Sequence, residues 1–447
     1  MHEADLDLDT DGVPADDEAT TRYAIRQLTR VEGEGRLDLS VRDGAVTRAH
    51  LEIFEAPRYF ERLVVGRDPN EVIDIVARIC GICPVAYQMS AVHAFEDLFA
   101  VRIDPAVHGL RRLFYCGEWI ESHALHIYLL HAPDFLGYPS AVEMAADHPT
   151  IVERGLRLKK LGNRIVGILG GRPIHPVSVR VGGFSRAPRR AELETLRADL
   201  EVALADAIET VRWTATLPPP AGDREPRLVA LRHPTEYPMN DGRITSSDGI
   251  DVAPGAWTDA FAEHQVPWSN ALQARARDGV PYLLGPTARV TLAGEQLHPL
   301  AREALRATGL GDELRTSVFR SIVARAVELV HAVAEARDLI DGYVPPGEPH
   351  AAWTPRPGVA AWATEAPRGL LFHRYEIDER GLVRHAQIVP PTSQNQAAIE
   401  HDLATFAPSV LDLPHAEATR RLEQLIRSYD PCISCATHFL DLRVDRS

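Results

Sequence analysis

The 447-residue chain has only five cysteines, four methionines and no apolar run long enough to cross a bilayer. No charged, apolar and small-residue sequence of a secretory signal opens it, so the expected location is the cytoplasm. Five cysteines are too few for a disulfide scaffold and fit a reducing compartment. There is no basic stripe, and the net charge is -15, which argues against a nucleic-acid binder. No Gly-x-Gly-x-x-Gly follows a strand, so no dinucleotide fingerprint is present. No internal repeat is visible. Direct membrane insertion and nucleic-acid partners are both excluded as expectations.

What remains is an ordinary globular composition, 45% hydrophobic and 25% charged. Residues 1–20 are rich in Asp and poor in large apolar side chains, and read as a disordered acidic tail. Beyond it, Arg36 to Val41 alternates, Asp43-Gly44 is a turn signal and Val46 to Phe54 alternates more loosely. This predicts an N-terminal hairpin. Helical spacing is expected after Pro69-Asn70, after Pro84, and over Leu110 to His131, Val152 to Leu169, Ala191 to Thr216, Ser317 to Leu339 and Ala418 to Ser428. Extended segments return at Leu370 to Ile377 and Leu382 to Val389. The fold class expected is mainly α with small β elements near both termini (α+β). The proline-rich stretches at Leu217 to Asp223 and Val344 to Glu348 are read as loops within one unit.

Four of the five cysteines form two Cys-x-x-Cys pairs, Cys80/Cys83 and Cys432/Cys435, one near each end of the chain. Four thiolates complete a coordination set for a soft or borderline metal. A structural zinc site is the plain reading of such pairs, and a redox disulfide in one pair is another. Structural zinc usually clips a short module, whereas here almost the whole chain separates the pairs. A metal bound by both would join the two chain ends.

The flanking residues carry more. Arg78-Ile79-Cys80-Gly81-Ile82-Cys83 and Asp430-Pro431-Cys432-Ile433-Ser434-Cys435-Ala436-Thr437-His438 together resemble the paired signature of the NiFe hydrogenase large subunit. Thr29 to Gly35, Gly66-Arg67-Asp68-Pro69 and Glu365-Ala366-Pro367-Arg368-Gly369 are similar to further motifs of that family. The likeness runs from about Arg22 to His438 and is nearest the cytoplasmic, bidirectional, NAD(P)-linked branch.

The resemblance implies that Cys80, Cys83, Cys432 and Cys435 bind nickel, with Cys83 and Cys435 also bridging to an iron that carries one carbon monoxide and two cyanides. Dihydrogen would be cleaved heterolytically and reversibly, with Cys432 as the base and Glu32 passing the proton onward. Taken alone, Glu32 reads as a paired structural glutamate. Arg368 is implied over the metals, with Pro367 and Thr392 beside the diatomic ligands. Asp430 either pairs with Arg368 or caps a turn. A magnesium-type ion is implied at Glu61, the Ile388 carbonyl and His438; the alternatives are an ordinary helix charge at Glu61 and a processing signal at His438. His123, His126 and His175 read as core or hydrogen-bonding residues. Tyr87 and Ser122 depart from the residues that some relatives carry there.

Residues 21–438 would form the hydrogenase domain, and 439–447 either a segment removed by a maturation protease or a short tail. Only Cys116 remains once the thiolates are used, too few for an iron–sulfur cluster of the chain's own. No flavin of its own is expected either, since the resemblance implies that flavin sits on a partner. A cluster-bearing small subunit, flavin and iron–sulfur subunits reacting with NAD(P), and nickel-insertion factors are the partners implied. The competing readings are a metal-free structural subunit of a complex I-like assembly and a structural zinc protein.

Overall fold

A computed structural model describes residues 20–25, 27–56, 58–221 and 224–437. The expected acidic tail, His438 and the segment 439–447 lie outside the described residues, apart from Thr20.

The chain opens with three antiparallel strands: β1 (Thr20–Ile25), β2 (Gly35–Arg42) and β3 (Ala45–Ile53). Asp43 and Gly44 turn β2 into β3 with φ of 51° and 75°, the doubly left-handed geometry of a tight hairpin. The expected hairpin is present, with β1 added on its free edge.

Helices follow. α1 (Pro69–Val76) begins in a capping box: Asp68 accepts from the Asn70 and Glu71 amides, and Glu71 reaches back to the Asp68 amide. Val72, Ile73 and Val76 face the core, so the helix is held on one side only. α2 (Pro84–Phe99) starts at the first cysteine pair. α3 (Pro105–Leu125) and α4 (Pro149–Gly170) pack closely where Gly162 meets the Gly117 carbonyl. The helix expected over Leu110 to His131 changes pitch at its end, with residues His126–His131 in a π-helical stretch. Similarly, the expected helix Ala191 to Thr216 breaks, and its main part is α5 (Arg197–Ala215).

The sheets are not confined to the termini, which corrects the expected fold class. In mid-chain, β4 (Arg227–Arg232), β5 (Arg243–Ser246), β6 (Asp251–Val252) and β7 (Tyr282–Leu283) form a sheet in the order β7-β4-β5-β6. These strands are short, and β7 pairs with β4 in parallel across a long connection, so local alternation is weak. The molecule is about half helical with several small sheets.

α6 (Pro286–Ala293) and the long buried α7 (Ser321–Asp341) precede a C-terminal sheet of β8 (Gly358–Ala366), β9 (Gly369–Ile377) and β10 (Val383–Val389). The sequence reading placed β9 and β10 and missed β8. It also missed α8 (Pro391–Phe406), whose first turns are Thr-Ser-Gln-Asn-Gln. Thr392, Gln394, Asn395 and Gln396 are buried because each finds a partner. Gln394 accepts from Trp257 Nε1 at 3.1 Å and from the Tyr282 hydroxyl at 3.0 Å, and Asn395 accepts from the Leu284 amide at 2.9 Å. α9 (His415–Ser428) then leads to the last cysteine pair.

Candidate metal centre

The first pair is mounted on α2. Cys83 is its N-cap and Pro84 its first residue, a position where proline's missing N–H costs nothing. Cys80 accepts from the amides of Ile82 and Cys83, both at 3.3 Å. The first-turn α2 amides of Val85 and Ala86, which have no acceptor within the helix, donate to the carboxyl of Glu118 on α3, at 2.6 and 3.2 Å. Glu118 is fully buried, and burial raises its pKa well above the usual carboxyl range. A charged residue on the buried face of a helix was the signal available for it, and the sequence reading passed over it.

The second pair sits on a single turn, Ile433–Ala436, held from distant parts of the chain. Glu32 and Cys432 form an isolated parallel bridge, and the Ile433 amide donates to the Glu32 carbonyl at 2.8 Å. The next residue, Gly33, has φ +91°, and a Cβ there would meet the Ser434 amide at 2.7 Å. Only glycine allows the N-terminal loop this close. Arg58 donates to the Ser434 carbonyl, and Ser434 Oγ to Glu55 at 2.7 Å.

The two ends meet. One sulfur from each of Cys80, Cys83, Cys432 and Cys435 lies within 4.8 Å of all the others. Cys80 and Cys432 are 3.6 Å apart, and Cys432 and Cys435 2.8 Å. All are buried, Cys435 least so at 8% exposure. Hydrogen bonds from the Cys432, Cys435 and Cys83 thiols hold the Cys80 sulfur well below the ordinary thiol range against the effect of burial. The Cys435 and Cys80 sulfurs in turn push Cys432 well above it. Four thiolates this close cannot coexist without a cation between them. A convergent, dry, all-sulfur donor set fits a soft or borderline transition metal and does not fit calcium or magnesium.

Around the sulfurs, the Cys432 thiol donates to Glu32 Oε2 at 3.1 Å, and the Ser434 amide donates to the same oxygen at 3.0 Å. The Cys432 amide donates to Thr392 Oγ1 at 2.9 Å. Pro367 and Arg368 form the two-residue loop of the β8–β9 hairpin. Arg368 Nε donates to the Asp430 carbonyl at 2.9 Å, and its Nη2 lies 3.2 Å from the Asp430 carboxylate. Asp430 thus pairs with Arg368 and is itself in the left-handed conformation, φ 52°. Burial disfavours the Arg368 charge, but Asp430 and the Cys432, Cys83 and Cys80 thiolates outweigh it and keep the pKa well above the ordinary range. Nη1 and Nη2 of Arg368 are both buried without a hydrogen-bond partner among the described residues, and only Nη2 has the ion-pair contact to Asp430.

Glu61 and Ile388 are adjacent: the Ile388 amide donates to Glu61 Oε1 at 2.7 Å. His438, the third member expected there, lies outside the described residues. A cavity of about 500 Å³ runs from Glu61 and Ile388 to Cys435 and Thr437. His123 pairs with Glu328 at 2.9 Å, His126 with the Arg427 carbonyl at 2.7 Å and His175 with the Ala77 carbonyl at 2.8 Å. Tyr87 lies one turn beyond Cys83, and its buried hydroxyl has no partner among the described residues.

Comparison with known proteins agrees with this geometry. The profile of the nickel-dependent hydrogenases matches residues 58–154 and 268–438. Sulfhydrogenase 2 subunit alpha of Pyrococcus furiosus is 33% identical over 427 residues, covering 94% of this chain and 99% of that one. The NAD-reducing hydrogenase HoxS subunit beta of Cupriavidus necator is 27% identical over 478 residues, covering 94% and 95%. A crystal structure of an NAD+-reducing [NiFe]-hydrogenase in the H2-reduced state superposes with a TM-score of 0.82 at 28% identity, covering 94% of this chain and all of that one. The chain belongs to the nickel-dependent hydrogenase family, as a large subunit, and is an oxidoreductase acting on hydrogen.

Proposed function

We propose, from that family membership, that this chain is the catalytic subunit of a hydrogenase that splits and forms dihydrogen reversibly and exchanges the electrons with NAD(P) through partner subunits. The observation that carries the reading is the convergence of four buried sulfurs with a carboxylate on one of them. Cys80, Cys83, Cys432 and Cys435 would hold nickel, and Cys83 and Cys435 would share an iron bearing one carbon monoxide and two cyanides. When bound, this pair supplies a soft, redox-active Lewis acid that polarises dihydrogen.

The side chains then have distinct tasks. Cys432 takes the proton, because its sulfur already shares one with Glu32 at 3.1 Å. Glu32 passes that proton outward; being half-buried, it links the dry cluster to the wetter loop. Arg368, kept charged by Asp430 and the thiolates, presents its unpartnered Nη1 as a fixed positive donor. Thr392 accepts from the Cys432 amide and keeps its own hydroxyl proton to offer to a cyanide. Pro367, beside Arg368 in the same loop, would lie next to the diatomic ligands.

Glu61, the Ile388 carbonyl and His438 would hold a magnesium-type ion; the short Glu61–Ile388 contact supports the grouping. Residues 21–438 would be the working domain and 439–447 a segment that a maturation protease removes after nickel insertion. The likeness to one subunit of an NAD-reducing hydrogenase supports partner subunits, and these would carry the iron–sulfur clusters and flavin. No helix among the described residues is long and apolar enough to cross a membrane. We place the assembly in the cytoplasm.

The test is an infrared spectrum of the complex purified from its native host. One carbonyl band and two cyanide bands are expected, together with hydrogen-driven NAD(P) reduction. A processed protein with zinc alone and no such bands would defeat the reading.

A further inference from the structure

Arg289, on α6, is wholly shielded from solvent, and it has five N–H bonds to satisfy. The structure pairs every one. Nε and Nη2 grip the two oxygens of Glu328, on α7, at 2.7 and 2.8 Å, and Nη1 reaches Glu365 at 2.9 Å. The remaining two bonds go to peptide carbonyls, Ala366 at 2.9 Å and Pro367 at 2.8 Å. The guanidinium also lies over the Trp119 ring, 4.4 Å from its centroid. Burial opposes this charge, and Glu328 and Glu365 outweigh that opposition, so Arg289 stays protonated at any working pH.

The two carbonyls belong to the end of β8 and its two-residue loop, the backbone from which Arg368 projects. The other side of that loop is closed by the residue before α6. Gly285 has φ +101°, and a Cβ there would stand 2.9 Å from the Arg368 carbonyl oxygen. The start of α6 therefore holds the loop by contact at Gly285 and by hydrogen bonds at Arg289. Asp430 holds the Arg368 side chain by a hydrogen bond at Nε and an ion-pair contact at Nη2; neither terminal nitrogen has a hydrogen-bond partner among the described residues, and Nη1 lacks the ion-pair contact as well. Where that donor points depends on where the loop sits.

We propose that Arg289 is a positioning residue of the hydrogen-splitting site, acting through the Pro367–Arg368 loop to aim the free Nη1 of Arg368. The inference rests on the hydrogenase reading and adds to it a buried residue remote from the cysteines in sequence. Lysine would keep the charge but has no fork to span Glu328 and both carbonyls.

The test is a double-mutant cycle in the purified, fully assembled complex, assayed by hydrogen oxidation with a viologen dye and by infrared spectroscopy. Arg289→Lys is expected to retain nickel, to lower kcat about ten- to a hundredfold with little change in the KM for hydrogen, and to shift the cyanide bands. In an Arg368→Lys background the same change should alter kcat by less than about twofold, because the two residues act in series. Arg111→Lys is the control. Arg111 is as deeply buried and pairs with Glu96, so it should lower Tm without moving the bands. If Arg289→Lys does not assemble, Gly285→Ala is read through the same cycle.

Effects of Arg289→Lys or Gly285→Ala that multiply with that of Arg368→Lys would overturn the proposal. So would an Arg289→Lys enzyme with unchanged kcat and bands. An unmodified complex lacking both dye reduction and the bands removes the hydrogenase reading and this inference with it. An active complex whose cycle multiplies removes the inference alone.

Discussion

The two cysteine pairs share a sequence spacing but are built differently. Cys80 and Cys83 are set by their own neighbourhood: amides two and three residues on, the start of α2, and one buried carboxyl, Glu118, from the next helix. Cys432 and Cys435 sit on one helical turn whose bonding partners, Thr392 and Glu32, are 40 and 400 positions away. A single turn is too short to be stable alone. The first half of the site can therefore form with its helix, whereas the second exists only after β8–β10, α8 and the N-terminal loop have come together. One cluster thus combines a locally determined half with a half determined by the whole fold.

The largest expected effect ignores this difference. If both halves complete one ligand set, Cys80→Ser and Cys432→Ser should each lose bound nickel by elemental analysis and reduce hydrogen oxidation to background. Retained nickel in either variant would mean that the pairs do not share an ion.

Next is Glu32→Gln, which removes the carboxylate from Cys432 while leaving an amide oxygen for the Ser434 amide. Nickel should remain, and kcat should fall by about 10² to 10⁴, the usual range for a lost proton-transfer group. Near-normal turnover would assign the proton to another route.

Thr392→Val tests the long-range half more gently. It orphans the buried Cys432 amide, a cost of about 1–3 kcal/mol, and should weaken nickel retention against a chelator by about ten- to a hundredfold. A fall in Tm with unchanged nickel retention would show that Thr392 supports the fold and not the ligands.

The smallest effect probes the locally determined half. Glu121, one turn beyond Glu118 on α3, is pushed up to about 8 by burial, against an ordinary value of 4.5. Its carboxyl is protonated in the folded state where the unfolded chain would release the proton. Its contribution to stability is complete below about 4.5 and is lost as pH rises towards 8. Wild-type Tm should decline across that window more steeply than that of Glu121→Gln. Parallel curves would place Glu121 in a wetter setting.

Legibility followed the same division. The capped start of α1, the hairpin turn at Asp43-Gly44 and the apolar faces of the long helices were readable because short-range physics decides them. α8 was not readable: Gln394, Asn395 and Gln396 look like a loop until Trp257, Tyr282, the Leu284 amide and the Leu272 carbonyl supply their hydrogen bonds. Arg289, Glu328 and Glu365 would likewise pass for surface charges, since only the fold brings acid and base together without water.

The sequence by itself determined the chemistry: two thiol pairs, the glycine at 33 that lets the ends approach, and flanking motifs specific enough to point to one family. A thiolate's affinity and a glycine's freedom are properties of the residue and travel with it. The tertiary structure decided the arrangement: which carboxylate meets Cys432, which arginine is left with a free donor, and which buried charges hold it there. Those depend on distances of a few ångströms between residues hundreds of positions apart, and only packing of the whole chain sets them.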